Sequence, residues 1–417
     1  SPVQVGTNTW GNISLGRLHT TVIQQDGTLW AFGNNTYGQL GRNNQTNYSS
    51  PVQVGWYAPS SGWAQTSLGY YHTYAVNSGS TLWVWGLNSY GQLGTSNQTN
   101  YSIPIQTSIS NISSIDSGAY NALAIKNDGT LWSWGLNSFG QLGQSNQTNY
   151  SSPVQIGTSN GWTKVSSGYL HCAGINNGYL YTWGNNSYSQ LGLSDLTHRF
   201  SPVQVGTTNN WSQVCCGYYH TIASQSNGTL WSCGLNSWGV LGQSNTTNYS
   251  TLTQIGTSNN WYIIPTTMWQ STYAADTSGT LYSWGNNTFG QLGRIPSTVY
   301  SPIQLSTTSN WNKVSAGTTH FLAIDNNNAL WAQGNNSWGQ LGTNDVTHRY
   351  SLTQIGTLTN WSNVACGDIF SVALKTDGTL WAWGNNSYGQ LGQQDYNHRS
   401  SPVQVGTINS YISVFCG

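Results

Sequence analysis

Short runs of alternating side chains, each closed by a glycine, recur along the whole chain. In Leu29-Trp30-Ala31-Phe32-Gly33 the Leu and Ala share one side of an extended strand and the Trp and Phe share the other. Both sides are apolar, so both must be covered by protein. The run sits inside a longer pattern, Gly27-Thr28-Leu29-Trp30-Ala31-Phe32-Gly33-Asn34-Asn35-Thr36-Tyr37-Gly38-Gln39-Leu40-Gly41. Seven more copies end their Trp-Gly pair, or its equivalent, at Gly86, Gly135, Gly184, Gly234, Gly285, Gly334 and Gly384. A period of about fifty residues marks a propeller, a solenoid or an array, in which each unit covers the apolar face of the next.

The copy that opens at Ser152 reads as four strands. Ser152-Pro153-Val154-Gln155-Ile156-Gly157 alternates and starts with Pro, which suits an outer edge. Trp162 to Gly168, His171 to Ile175 and Leu180 to Gly184 follow as further strands. The turn between the last two is Asn176-Asn177-Gly178, and other copies use Asp26-Gly27, Asp128-Gly129 and Asp377-Gly378. Asn, Asp and Gly tolerate the positive φ that tight hairpins need. No segment sustains a 3.6-residue period, so almost no helix is expected.

A small residue and Gly open the repeat, as in Val364-Ala365-Cys366-Gly367. Asp377-Gly378-Thr379-Leu380-Trp381-Ala382-Trp383-Gly384 and Tyr388-Gly389-Gln390-Leu391-Gly392 continue it. This signature resembles the repeat of the regulator of chromosome condensation family of β-propellers, over essentially the whole chain. The resemblance implies an all-β propeller and leaves function open, since such scaffolds host unrelated activities. Members of that family typically have seven blades. Eight copies here predict about eight four-stranded blades in a single domain, 1–417, with a seven-bladed ring plus an extra repeat as the alternative. Residues 401–417 read as a partial ninth copy at the closure, because Ser401-Pro402-Val403-Gln404-Val405-Gly406 repeats Ser1-Pro2-Val3-Gln4-Val5-Gly6. One of the two copies is spare; it either frays at the rim or adds to an exposed edge of a neighbouring subunit.

Charge changes the picture more than length does. Only 5% of the residues are charged, 10 Lys and Arg against 10 Asp, with no Glu. Nothing here marks a nucleic-acid footprint. No apolar run approaches the roughly 20 residues of a membrane-spanning helix. The chain begins at Ser1 inside a repeat, which suggests a processed or partial chain. The 22 Trp and 25 Tyr supply ample surface for a core.

The remaining chemistry-bearing residues mostly follow the repeat. Cys216, Cys366 and Cys416 share a slot with Ser117, Ser167 and Ala316, a small buried position. His19, His72, His171, His220 and His320 share a slot with Asn121, Ser271 and Phe370, which points to packing rather than catalysis. His198-Arg199, His348-Arg349 and His398-Arg399 follow Asp195, Asp345 and Asp395 by three residues, where other copies read Asn-Tyr. Arg199, Arg349 and Arg399 can brace the loop or hold an anionic partner. The aromatic before Gly-Gln-Leu-Gly, Tyr37 to Tyr388, fits packing between blades or stacking on sugars. Asn-x-Ser/Thr sequons such as Asn44 and Asn146 arise readily in so Asn-rich a repeat.

Departures from the repeat are the candidate binding positions: Trp56 and Tyr57 in the second copy, Met268, Trp269 and Gln270 in the sixth, and Arg294 in the link after it. Strand direction puts Met268, Trp269 and Arg294 on one face of the ring and Trp56 on the other. No nucleophile elbow, phosphate loop, zinc spacing or paired carboxylates occur, so neither enzyme activity nor any cofactor or metal is expected. The expectation is a non-enzymatic structural or adhesive protein of a virion, cell surface or other extracellular assembly. Its partners would be proteins or copies of itself, with glycans as a further class. A lectin, a protein-inhibitor module and an exchange factor for a small GTPase are the rivals.

Overall fold

The computed structural model describes residues 10–15, 17–24, 26–55, 62–263, 270–305, 311–409 and 415–416. Eight antiparallel sheets follow one another along the chain, and no helix occurs among the described residues. The first strands of neighbouring blades touch one another, which places them around the axis, and the fourth strands form the outer wall. Blade I runs from Trp10–Leu15 to Tyr48–Gln53, and blade VIII from Trp361–Cys366 to Arg399–Asn409. The Phe32 ring packs with Phe370, Val372 and Leu391, so blade I meets blade VIII and the eight-bladed ring closes.

The frame of the blades is offset by one strand from the copy that opens at Ser152. That strand, Tyr150–Gln155, pairs with Leu131–Gly135 and completes blade III rather than opening blade IV. The reason is the long loop after each third strand, which turns the chain back onto its own sheet before the next blade begins. Blade IV is therefore Trp162–Ser167, His171–Asn176, Tyr179–Gly184 and Arg199–Gln204.

Three repeated devices bind blade to blade. First, a buried Trp in the third strand donates its Nε1–H to the backbone of the preceding blade: Trp85 to Gln39, Trp134 to Gln92, Trp183 to Gln141, Trp284 to Val240 and Trp383 to Gln340, all at 2.7–2.9 Å. Burying such a ring contributes on the order of 2–3 kcal/mol, and the bond satisfies its one polar atom. Second, the loop Gly lies against the next outer strand. A Cβ on Gly38, at φ +82°, would stand 2.6 Å from Ser102 Cα. Third, a residue with positive φ donates its N–H to that same strand, as Asn43 does to Ser102 O at 2.6 Å and Ser145 to Phe200 O at 2.6 Å.

The chain end returns to the axis. Phe415–Cys416 pairs in parallel with Ser14 and Leu15 of the first strand, making blade I five-stranded. Residues 401–409 belong to the outer strand of blade VIII. Residues 1–6, the matching copy, lie outside the described residues.

Candidate functional site

The Gly-x-x-His slot is scaffold. The His72, His171, His220 and His320 rings fold back over their own Gly: a Cβ on Gly217 would come 2.3 Å from His220 Cε1. His19 Nε2–H points at Thr73 Oγ1 (3.2 Å), whose hydroxyl donates to Gln39 O (2.9 Å). His171, Thr221 and Gln190 repeat the relay, and so do His320, Ser371 and Gln340. Because the hydroxyl proton goes to the carbonyl, Nε2 of His19, His171 and His320 must carry the proton that it donates, and burial keeps the rings neutral. Burial pushes His19, His72 and His171 down to about 3, and His220 and His320 down to about 4.

The Asp-x-x-His-Arg loops are a second version of an Asn-Tyr brace. Asn44 Nδ2 donates to Tyr48 Oη at 2.8 Å, and Asn47 Oδ1 accepts from Asn35 N at 2.8 Å. In the charged copies Arg199 Nη2 meets Asp195 Oδ2 at 2.5 Å, and His198 Nδ1 accepts from Asn186 N at 3.0 Å. Arg349–Asp345 and Arg399–Asp395 repeat this at 2.5 and 2.6 Å. The guanidinium holds Asp195 and Asp345 below the usual carboxylate range. Each Arg is thus held within its own loop, and the three stand apart on blades IV, VII and VIII.

Of the sixth-copy residues, Gln270 is committed to its own blade, since its Oε1 accepts from Asn286 Nδ2 at 2.6 Å. Arg294 Nη2 donates to Gln304 O at 3.3 Å, as Arg42 in the same slot donates to Gln53 O. Trp56, Tyr57, Met268 and Trp269 lie outside the described residues.

The structure gathers a different set. The turns from first to second strand ring one mouth of the axis, and the two residues between Gly and His stand on them. Tyr70, Tyr120, Tyr169 and Tyr218 come from blades II to V. Tyr169 stacks on Tyr218 with centroids 4.0 Å apart and planes at 13°. Tyr70 touches Tyr120 (5.7 Å) and Tyr169 (6.4 Å). The loop aromatics extend the network: Tyr37 meets Tyr71 at 5.2 Å, Tyr90 meets Tyr120 at 5.4 Å, and Tyr188 meets Tyr219 at 4.8 Å. All of them are partly exposed. Burial raises the Tyr120, Tyr218 and Tyr219 hydroxyls, so the face stays neutral. At its edge the Arg17 guanidinium lies 5.6 Å over Tyr70 and 3.9 Å from Asp368 Oδ2.

Sequence reasoning took up Tyr37, Tyr90 and Tyr188 as loop aromatics but passed over Tyr70, Tyr120, Tyr169 and Tyr218, because the recurring Gly and the His slot after it drew attention from the pair between them. The available signal was that this pair varies, Tyr-Tyr, Ala-Tyr, Tyr-Leu, Thr-Thr and Asp-Ile, after a Gly that recurs in most copies.

The model of the RCC1-like domain matches residues 162–417, and that of the regulator of chromosome condensation (RCC1) repeat matches residues 26–76, 80–125 and 128–175. The chain belongs to the RCC1-like family. Among curated RCC1-like relatives, the ultraviolet-B receptor UVR8 of Arabidopsis thaliana is 36% identical over 92 residues, 22% of this chain and 21% of the receptor. The X-linked retinitis pigmentosa GTPase regulator of Mus musculus is 32% identical over 94 residues, 22% of this chain and 9% of that protein. The chain therefore aligns with only about a fifth and a tenth of these two proteins. Among solved structures, human WBSCR16 superposes with a TM-score of 0.63 at 22% identity, covering 80% of this chain and 96% of that one. Prp20p of Saccharomyces cerevisiae does so with a TM-score of 0.63 at 19% identity, covering 89% and 92%. At these identities the likeness is one of fold. In this RCC1-like ring the repeat signature builds the seams, and the tyrosine mouth lies between its fixed positions.

Proposed function

We propose that this RCC1-like propeller is a non-catalytic protein-binding module and that the tyrosine mouth is its binding face. The observation that carries the reading is the continuous, neutral, partly exposed tyrosine network on short turns of a rigid ring. Tyr offers large amphipathic contact area at low entropic cost and is enriched at interfaces. Short turns on a braced scaffold hold such rings in place before a partner arrives.

The test uses photo-crosslinking residues at Tyr169 and Tyr218, with one at Ser351 on the outer wall as control, in the native source. Tyr169→Ala and Tyr218→Thr serve as loss variants, since Ala119 and Thr318 fill the same slot in other blades. A saturable protein adduct should form at the mouth positions, disappear with the loss variants and persist with Arg349→Ala. Equal adducts from Ser351, or none from the mouth, would refute the reading.

Family membership supports a second reading, exchange on a small GTPase. The mouse relative is named a GTPase regulator, and the yeast structure is described with its binding to Gsp1p and histones. The near absence of charge favours binding without exchange. Unchanged GDP release from a small GTPase is expected; acceleration would favour the exchange factor. The setting we infer, a virion or other extracellular assembly, is supported by composition alone: scarce Lys, no Glu, and loops rich in Asn, Ser and Thr. Immunogold labelling of intact particles or unpermeabilised cells checks it, and signal confined to the cytoplasm would rule it out.

A further inference from the structure

Blade IV departs from five of its siblings at the opposite end of the first strand, away from the mouth; blades VI and VII anchor Tyr282 and Trp331 on Asp276 and Asp325 there instead. In blades I, II, III, V and VIII a Thr hydroxyl just before the third strand or at its start accepts the N–H of a Trp two residues on. Trp30 to Thr28 and Trp83 to Thr81 are 3.1 Å, Trp132 to Thr130 is 3.0 Å, Trp231 to Thr229 is 2.9 Å and Trp381 to Thr379 is 2.8 Å. Blade IV carries Tyr179 and Tyr181 in these two positions. Its hairpin is also shorter: Asn177 (φ 49°) and Gly178 (φ 81°) alone join strands in which Asn176 pairs with Tyr179. Both central residues with positive φ make this a tight two-residue turn. The clasp is gone, and the Tyr181 hydroxyl reaches Gln204 Oε1 at 3.3 Å instead.

These changes line a groove of about 660 Å³ at the seam between blades III and IV. Trp162, Tyr179 and Tyr181 form its aromatic wall, with Trp162 and Tyr181 centroids 5.5 Å apart at 59°. Asn176, Ser159 and Gln204 supply amides and a hydroxyl, and Asn176 Nδ2 already donates to Ser159 Oγ at 2.6 Å. No lining residue is charged. The corresponding groove between blades VII and VIII keeps the Trp381 clasp and includes Arg349 and the exposed Leu358.

We propose that the groove between blades III and IV binds a neutral saccharide. Its size falls within the usual range for small-molecule sites, about 300–1,000 Å³. Anionic and cationic ligands find no counter-charge there. A purely apolar ligand would leave the amides and hydroxyls unpaired, at a cost of about 1–3 kcal/mol each. A neutral pyranose uses both surfaces: its C–H face lies on the aromatic rings, and its hydroxyls meet the amide and phenol groups.

The full chain is screened against an array of neutral and anionic oligosaccharides, and the strongest neutral hit is titrated by calorimetry. Tyr179→Thr with Tyr181→Trp rebuilds the clasp that five other blades use, so the double variant should fold; thermal unfolding confirms this. Binding of a neutral oligosaccharide is expected, at least tenfold weaker in the double variant and unchanged by Tyr169→Ala at the mouth. No neutral binder above background, preference for anionic glycans, or equal affinity in the folded double variant would each overturn the assignment. The site is separate from the mouth, so its failure leaves the protein-binding reading standing.

Discussion

At the scale of single residues, the buried titratable groups set opposing pH dependences. His19, His72, His171, His220 and His320 are neutral when folded, with values of about 3 to 4 against 6.5 unfolded. Between those limits the unfolded chain takes up protons that the folded chain refuses. The contribution of these His is therefore complete above pH 6.5 and is lost as pH drops, by roughly 1.4 kcal/mol per His per pH unit. The melting temperature should fall steeply between about pH 6 and 4. His220→Asn, which copies Asn121 in the same slot, should make the fall shallower; an unchanged slope would contradict the neutral-His account. Asp116 works the other way. It is half-buried on the first strand of blade III, and desolvation raises its carboxyl to about 7 although Ser167 N–H donates to it at 2.6 Å. The folded state keeps a proton that the unfolded chain loses above 3.8, so stability falls as pH rises from about 4 through 7. Ser166 and Ser315 in the same slot accept the equivalent N–H at 3.0 and 2.9 Å. Asp116→Ser should therefore gain on the order of 2 kcal/mol at pH 8 and little at pH 4, read from denaturant melts at the two values.

At the scale of elements, the link between the third and fourth strands separates what sequence makes plain from what it hides. Asn43, Ser96, Ser145, Ser194, Ser244, Asn344 and Gln394 all adopt positive φ and donate to the next blade. The sixth link has Ile295 in that place, followed by Pro296. A β-branched residue resists positive φ, and Pro restricts the residue before it. The N–H bond to the next outer strand is absent from this link, and Ile295 is 79% exposed. Ile295→Ser with Pro296→Asn should restore the bond and raise stability by about 1 kcal/mol, measured by thermal unfolding. A loss would mean that the link is stabilised by contacts of its own. The irregularity of this link was legible in the residues themselves, and so were the strands, because Gly, Pro and Asn-Gly mark each end. The Asn-Tyr to Asp-Arg exchange was visible as a pattern too. Its meaning was not, because the same Arg can face solvent or its own Asp, and only the fold decides. The mouth was hidden for a different reason: Tyr70 and Tyr169 are distant in sequence, and they meet only when blades II and IV flank the small Ala119 of blade III.

At the scale of the whole ring, closure is the one seam made without a covalent link from blade to blade. Elsewhere the buried loop carbonyl receives two side-chain donors. Gln340 O takes Trp383 Nε1–H and the Ser371 hydroxyl, both from the following blade. Where the second-strand slot holds Ala122 or Phe321, a Tyr of the preceding blade steps in: Tyr74 donates to Gln92 O, and Tyr273 to Gln291 O at 2.9 Å. Even Gln333 replaces a Trp without losing its bond, at 2.7 Å to Gln291 O. At the VIII–I seam, Phe32 fills the Trp slot and has no N–H to give, while Thr20 Oγ1 is buried without a partner. Neither slot supplies Gln390 O with a donor there. Apolar packing of Phe32 against Phe370 and Leu391 holds the seam instead. A ring opens first where its interface is weakest. Amides of the second and third strands of blade I should then exchange faster than those of blade II, whose Trp85 and Thr73 both donate to Gln39 O at 2.8 and 2.9 Å. Phe32→Trp supplies the missing N–H in a slot that accepts Trp in five other blades. It should slow that exchange and raise stability by about 1 kcal/mol. If blade I already exchanges as slowly as blade II, the closing seam is as strong as the rest, and the missing donors matter less than the packing that surrounds them.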